Sequence, residues 1–172
     1  ICWSLVGSEM CIRDRIRIQD LTVNPVFDLP DESIDFFWST EVIEHMGREF
    51  VPAWLDDVAR VMRPDALGYV STPNHDGSND KLPEDHVYEW GFEELKEELE
   101  RNFNIEAVTG TFIQMPNLKK ARFDGTRDLK IEWSDEQMIM LSERFGKQFL
   151  RMAAATMYPE HANNCAWRLT KK

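Results

Sequence analysis

The stretch STEVIEHM, residues 39–46, gathers polar groups with the spacing that a functional site requires. As a helix, it would place Glu41, Glu44 and His45 at positions i, i+3 and i+4, which share one face. Such a face offers carboxylate oxygens and an imidazole nitrogen to a common partner. The alternative is the solvated polar start of an ordinary helix, and the spacing alone leaves both interpretations open.

The bulk composition predicts one soluble domain. The chain has 172 residues, of which 42% are hydrophobic and 30% are charged, and it has no apolar run of the length that a membrane helix needs. The formal net charge of −11 argues against broad, charge-driven binding of nucleic acid. Cys2, Cys11 and Cys165 fit neither a zinc clip nor a disulfide framework, which favours a reducing, cytoplasmic setting.

The first fifteen residues, Ile1 to Arg15, resemble a string that recurs where adapter bases have been translated as coding sequence. We therefore interpret residues 1–15 as non-native and expect the gene to continue upstream. The alternative is a genuine, irregular N-terminal strand and turn.

The remaining pattern alternates strands with helices and predicts an α/β fold. Strands are predicted near residues 16–19, 34–40, 67–74, 105–113 and 164–170. Helices are predicted over residues 50–62, where Pro64 would stop the helix, and over 92–99 and 138–152, the last one capped by Ser134. The run IDFFWST suits a buried central strand, and the strand at 164–170 is predicted to be antiparallel or at an edge.

Three loops that follow predicted strands carry polar residues, and in parallel sheets ligands bind at the carboxyl ends of strands. The loops are Asp20-Leu21, STEVIEH and STPN. In this order and at this spacing, the segments QDL, LPDESIDFFWSTEVIEH and VARVMRPDALGYVSTPN resemble a class I S-adenosylmethionine-dependent methyltransferase of the type 11/23 kind. The resemblance is close over residues 16–74 and holds in outline beyond them.

The resemblance implies a cofactor site for S-adenosylmethionine. Asp20 would lie beside the adenine, with Leu21 offering an amide and an apolar wall. Ser39 and Thr40 would present backbone carbonyls to the cofactor's ammonium group, and Val42 would pack nearby. Without the resemblance, Asp20 is simply an acid in a loop after a strand.

The resemblance also implies a Rossmann-like sheet that is incomplete. The glycine-rich G-x-G-x-G loop and the ribose-binding acid of the family are absent from this sequence. Residues 16–172 are therefore predicted to be the C-terminal part of one methyltransferase domain, without its first two strands. The remaining strands should pair in the order 34–39, 67–72, 164–170 and 105–113, with an antiparallel last strand, and the segment at 16–19 should be loosely held. We expect this chain alone to be inactive and to bind S-adenosylmethionine weakly.

A branch of the family, the small-RNA 3′-terminal 2′-O-methyltransferases, has a motif of the form EVIEHM that binds a divalent metal together with a further histidine. By this resemblance Glu41, Glu44, His45 and His86, the last from DHVYEW, would be catalytic residues and ligands of Mg²⁺ or Mn²⁺. In most family members the same polar groups orient the loop or position a substrate without a metal.

The function implied is methyl transfer, with an oxygen of a small molecule as the expected acceptor. A metal-dependent methylation of an RNA 3′-terminal ribose is the first alternative, and a non-catalytic binding domain is the second. His75 and His161 are expected at the surface. One locally basic stretch, interpreted as a solvated loop that could touch an anionic substrate, consists of Lys119, Lys120, Arg122, Arg127 and Lys130. No membrane partner is expected, and the sequence does not indicate which oligomeric state the protein adopts.

Overall fold

The computed structural model describes residues 19–21, 23–75, 82–113 and 135–172. Its four strands are β1 (Ile34–Thr40), β2 (Met62–Pro73), β3 (Phe103–Gly110) and β4 (Asn164–Lys171). Its α-helices are α1 (Val51–Val61), α2 (Phe92–Leu99), α3 (Asp135–Phe145) and α4 (Lys147–Met157). Among these described helices, none has the length and apolar character needed to cross a membrane.

The strands form one mixed sheet in the order β1-β2-β4-β3. The β1–β2 pair is parallel, whereas β4 runs antiparallel to both β2 and β3. This order confirms the predicted one and is consistent with an incomplete Rossmann-like sheet. The predicted strand at residues 16–19 lies outside the described residues except for Gln19, and residues 1–15 lie outside them entirely.

Helix α1 covers one face of the sheet because its apolar residues recur every three to four positions. Trp54 is fully buried and meets Phe37 of β1 edge to face, with ring centroids 5.6 Å apart. The helix ends at Val61, and Pro64 follows its C-cap, Met62, by two residues, so the helix stops ahead of this proline as predicted. Pro64 itself lies within β2, where the register against β1 shifts, and a proline is tolerated at such an irregularity.

Strand β1 is at an edge of the described sheet, where the predicted strand order places it, although its apolar run suits a buried central strand. It pairs with β2 on one side only. Because successive side chains alternate between the two faces, Phe37 points into the core while Phe36 and Trp38 remain 47% and 55% exposed. Trp38 stacks on Tyr69 of β2, with centroids 4.7 Å apart.

The helical segment predicted over residues 138–152 is two helices, α3 and α4. They are separated at Gly146, whose φ of 87° lies in the left-handed region that favours glycine. The cap predicted at Ser134 lies outside the described residues. Strand β4 is antiparallel as predicted, and it lies between β2 and β3 rather than at an edge.

Candidate functional site

The carboxyl end of β1 turns sharply at Glu41, so the helix predicted over residues 41–45 does not form. Glu41 has a φ of 52°, and its N–H donates to the carbonyl of Ser71 over 3.0 Å. Its Oε1 accepts hydrogen bonds from Ser71 Oγ at 3.0 Å and from Asn164 Nδ2 at 2.8 Å. The Glu41 carboxylate therefore links the ends of β1, β2 and β4, and it does not share a helical face with Glu44.

Glu44 lies in a single 3-10 turn, Ile43–His45, and is fully buried. Its Oε2 accepts a hydrogen bond from Thr72 Oγ1 at 2.9 Å, whereas Oε1 has no hydrogen-bond partner among the described residues. Burial raises the pKa of the Glu44 carboxyl, and the charge of Glu41 adds to this rise. Hydrogen bonds from the backbone and from Thr72, and the nearby His45, oppose it.

His45 is held with a defined ring orientation beside Glu44. Its Nδ1 lies 2.7 Å from the carbonyl oxygen of Asp85. A carbonyl oxygen only accepts hydrogen bonds, so Nδ1 carries the proton and the Nε2 lone pair of the neutral ring is free. Nε2 is 3.8 Å from Glu44 Oε1.

The segment after β2 returns to this turn and brings His86 with it. Val87 and Tyr88 donate their backbone N–H groups to the carbonyl of Glu44, over 2.7 Å and 3.1 Å. The rings of His45 and His86 meet edge to face, with centroids 5.1 Å apart and planes at 87°. His86 Nδ1 is 2.6 Å from Glu89 Oε1.

Glu44, His45 and His86 thus form one cluster, in which each residue offers one ligand atom and these atoms all lie within 4.8 Å of one another. Glu41, the fourth residue predicted to bind a metal, is outside this cluster because Ser71 and Asn164 hold its carboxylate. A set of one carboxylate and two imidazoles has the chemistry to bind a divalent transition metal or to move a proton.

The residues predicted to contact the cofactor lie in two groups by exposure. Asp20 and Thr40 have exposed side chains, and the Asp20 carbonyl accepts the N–H groups of Val23 and Asn24 in a turn. Leu21, Ser39 and Val42 are buried. The Ser39 hydroxyl has no hydrogen-bond partner among the described residues.

Some predicted residues are not brought to the cluster. His75 and His161, which were expected at the surface, are partly exposed, and neither belongs to the metal-binding group among the described residues. The basic stretch lies outside the described residues.

Sequence reasoning singled out none of Thr72, Glu89 and Asn164, although all three hydrogen-bond to the site. Thr72 lies in the STPN motif, which could have indicated it. The sequence pattern contains nothing that would indicate Glu89 or Asn164.

Residues 7–70 match the methyltransferase domain family. No curated protein matched the sequence.

Three solved structures represent the structural matches. A SAM-dependent methyltransferase from Archaeoglobus fulgidus has a TM-score of 0.53 and 16% identity, over 93% of this chain and 69% of that one. The [4+2]-cyclase SpnF has a TM-score of 0.51 and 15% identity, over 90% of this chain and 54% of that one. The small RNA methyltransferase HEN1 has a TM-score of 0.50 and 16% identity, over 86% of this chain and 15% of that one.

These matches confirm the resemblance predicted from the sequence: the chain has the Rossmann-like fold of class I S-adenosylmethionine-dependent methyltransferases. It spans about half the length of the cyclase. A cyclase among the proteins of similar fold illustrates that this fold is not restricted to methyltransferases, so the activity must be argued from the site.

Proposed function

We propose that the protein transfers a methyl group from S-adenosylmethionine to an oxygen of a small molecule. The observation that carries the proposal is the pairing of buried Glu44 with His45 Nε2, next to the end of β1 where the cofactor-side residues lie. A hydroxyl is a poor nucleophile until its proton is removed, and this pair offers a base and a carboxylate to stabilise the protonated ring.

The residues present fit S-adenosylmethionine on one side. The side chain of Asp20 is exposed, so its carboxylate could accept a hydrogen bond from an amine, and the buried Leu21 next to it is apolar. The buried hydroxyl of Ser39 has no hydrogen-bond partner among the described residues, and buried polar groups usually have one. A bound polar ligand would supply that partner. When bound, the cofactor supplies an electrophilic methyl group on a sulfonium sulfur.

The chemistry assigned to the chain is the handling of one proton. With S-adenosylmethionine and a hydroxyl acceptor bound, His45 Nε2 would accept the hydroxyl proton as the methyl group leaves the sulfur and bonds to the acceptor oxygen. Glu44, whose Oε1 is 3.8 Å from Nε2, would then stabilise the charge of the imidazolium. The products are S-adenosylhomocysteine and a methyl ether.

The test uses the longest protein that the coding sequence encodes, with catechol as a hydroxyl probe. We expect S-adenosylhomocysteine to form and His45→Ala to lower its rate by roughly 10²- to 10⁴-fold, the range for a general base. His75→Ala is the matched control and should retain the rate. Binding of S-adenosylmethionine without turnover on any hydroxyl probe would support the non-catalytic alternative.

A second candidate, metal-dependent methylation of an RNA 3′-terminal ribose, is favoured by the convergence of Glu44, His45 and His86. The orphaned Glu44 Oε1 and the free Nε2 of His45 fit a divalent ion such as Mg²⁺ or Mn²⁺. Such an ion, when bound, would chelate vicinal hydroxyls and lower the pKa of the attacking one. The fold match to a small RNA methyltransferase is compatible with this candidate. A shared fold does not identify the substrate, so the match is no argument for RNA.

The two candidates differ in what they need. A short RNA with a free 3′-terminal diol, tested with Mn²⁺ and again with excess EDTA, should be methylated only with metal under the second candidate. The same RNA already methylated at its terminal 2′-oxygen is the control and should not react. Turnover of catechol that resists EDTA would favour the metal-free candidate.

A further inference from the structure

Two histidines of the candidate site are held through the same ring nitrogen by two different partners. Asp85 holds His45 through its carbonyl oxygen, and Glu89 holds His86 through its carboxylate, over 2.7 Å and 2.6 Å. An ionised carboxylate, like a carbonyl, only accepts hydrogen bonds. In its neutral state the ring of His86 therefore carries its proton on Nδ1, which leaves the Nε2 lone pair free.

This shared tautomer matters because of where the rings lie. The rings are edge to face at 5.1 Å, and Glu44 Oε1, the atom facing His45 Nε2, has no hydrogen-bond partner among the described residues. If His86 changed tautomer, its Nε2 would carry a proton and could neither bind a cation nor accept a proton from a substrate.

The fold holds Glu89 in this position. The backbone N–H groups of Val87 and Tyr88, which lie between His86 and Glu89 in the chain, bind the Glu44 carbonyl and so fix the segment that joins the histidine to the glutamate. The side chains of His86 and Glu89 are only 15% and 13% exposed, so water competes little for their hydrogen bond.

We infer that Glu89 is a positioning residue that locks His86 in the Nδ1-protonated tautomer and presents its Nε2 to the Glu44–His45 pair. This inference deepens the proposed function and rests on it for its consequence in metal binding or proton transfer. The carboxylate–histidine hydrogen bond itself is a property of the folded chain and can be tested without activity.

The first experiment observes the imidazole nitrogens of His86 by long-range ¹H–¹⁵N NMR in the neutral state of the ring. In the wild type we expect a protonated Nδ1 and an unprotonated Nε2. In Glu89→Gln, whose amide can donate as well as accept, the Nε2-protonated tautomer should become populated. Glu93→Gln, an exposed carboxylate in the first turn of α2, is the matched control and should leave His86 unchanged.

Two results would overturn the inference: an Nε2-protonated His86 in the wild type, or an unchanged tautomer in a folded Glu89→Gln. Because the wild-type spectrum decides the first point alone, the test does not depend on the variant folding. Circular dichroism establishes that Glu89→Gln is folded, and Glu89→Ala provides a second variant.

The second experiment titrates Mn²⁺ and follows the free ion by electron paramagnetic resonance. We expect Glu89→Gln to weaken Mn²⁺ binding by about 10- to 100-fold, the usual effect of removing a carboxylate behind a histidine ligand, with Glu93→Gln unchanged. A wild type that binds no Mn²⁺ would remove the metal-dependent candidate, while the NMR result would still decide the role of Glu89. Equal Mn²⁺ affinity in the wild type and Glu89→Gln would contradict the inference.

Discussion

Thr72 Oγ1 donates a hydrogen bond of 2.9 Å to Glu44 Oε2. This is the one side-chain hydrogen bond that the buried carboxylate receives from the described residues. Glu44 is fully buried, so the second oxygen has lost its water without gaining a donor. A carboxylate in this position is held ready for a cation or a proton, at a cost in stability.

Glu44→Gln should make the protein more stable at neutral pH. Burial raises the pKa of Glu44 above its ordinary value of 4.5, so the protonated form is the one that folding favours. The contribution of this group is fully present below pH 4.5 and is lost as the pH rises through the raised pKa. The difference in free energy of unfolding between Glu44→Gln and the wild type should therefore grow with pH, as measured by urea unfolding across a pH series.

The control for this prediction is Glu93→Gln, which changes an exposed carboxylate. It should shift the urea midpoint little at any pH. A Glu44→Gln difference that is constant with pH would mean that the buried carboxyl titrates alike in the folded and unfolded chains.

Gly110→Ala should destabilise the fold by about 1–3 kcal/mol, the usual cost of overpacking. A Cβ at Gly110 would lie 2.5 Å from both the Ala155 carbonyl oxygen and the Ala162 Cβ. Backbone atoms cannot move aside as a flexible side chain can. The measurement is the free energy of unfolding in urea, with Gly91→Ala as control, because a Cβ there meets only the His75 carbonyl at 3.8 Å. Equal losses in the two variants would contradict the close packing at Gly110.

Arg60→Lys should lower the urea midpoint, because one ammonium cannot replace the guanidinium fork. Arg60 binds Asp57 Oδ1 and Asp31 Oδ1, both at 2.6 Å. It also donates to the carbonyls of Leu29 at 2.8 Å and Phe27 at 3.0 Å. These contacts fasten the loop before β1 to α1.

Arg63→Lys is the matched control for this loss. Arg63 is half exposed and pairs with Asp35, itself well exposed, so its replacement should change the midpoint little. An Arg60→Lys midpoint equal to that of the wild type would mean that the loop is held by its other contacts.

Trp38→Lys should reduce self-association of this chain. Trp38 and Phe36 are half exposed on the edge strand of the described sheet, and exposed apolar edges invite pairing with a second chain. Sedimentation velocity over a concentration series should give a smaller weight-average sedimentation coefficient for the variant at high concentration. Val23→Lys, which removes an exposed valine from a loop, is the control. Identical behaviour of wild type and Trp38→Lys would contradict the prediction.

A last prediction concerns the cofactor. Calorimetry of the 172-residue chain with S-adenosylmethionine should detect no binding at micromolar concentrations, because the sequence has no G-x-G-x-G loop to approach the cofactor with its amides. If a longer protein from the same coding sequence carries such a loop, that protein should bind. Micromolar affinity of this chain alone would contradict the expectation.

The sequence predicted the sheet better than it predicted the site. Strand order followed from the resemblance, and Phe37 and Trp54 carry periodic signals that local patterns reveal. Glu41 was misplaced because helical spacing assumes a continuous helix, whereas the N–H of Glu41 is captured by Ser71 across the sheet. The break at Gly146 was readable, since a lone glycine in a helical pattern often marks an end.

The role of Glu89 was not readable in the same way. Its partner, His86, is three residues away, and many pairs of residues with this spacing make no contact. The hydrogen bond depends on how the segment lies against the Glu44 turn. Likewise, Asn164 reaches Glu41 only because β4 lies beside β2. Such hydrogen bonds result from tertiary packing, and the spacing of residues along the sequence does not predict them.

The central position of β4 has a consequence for how the chain is made. On the ribosome, β2 and β3 emerge well before residues 164–171, yet among the described strands β3 pairs only with β4. Until β4 arrives, the edges that it will fill are open to other chains, and the Glu41 carboxylate lacks Asn164. Unpaired strand edges favour misassembly, so slowing translation after β3 should lengthen the stage at which another chain or a chaperone can bind them.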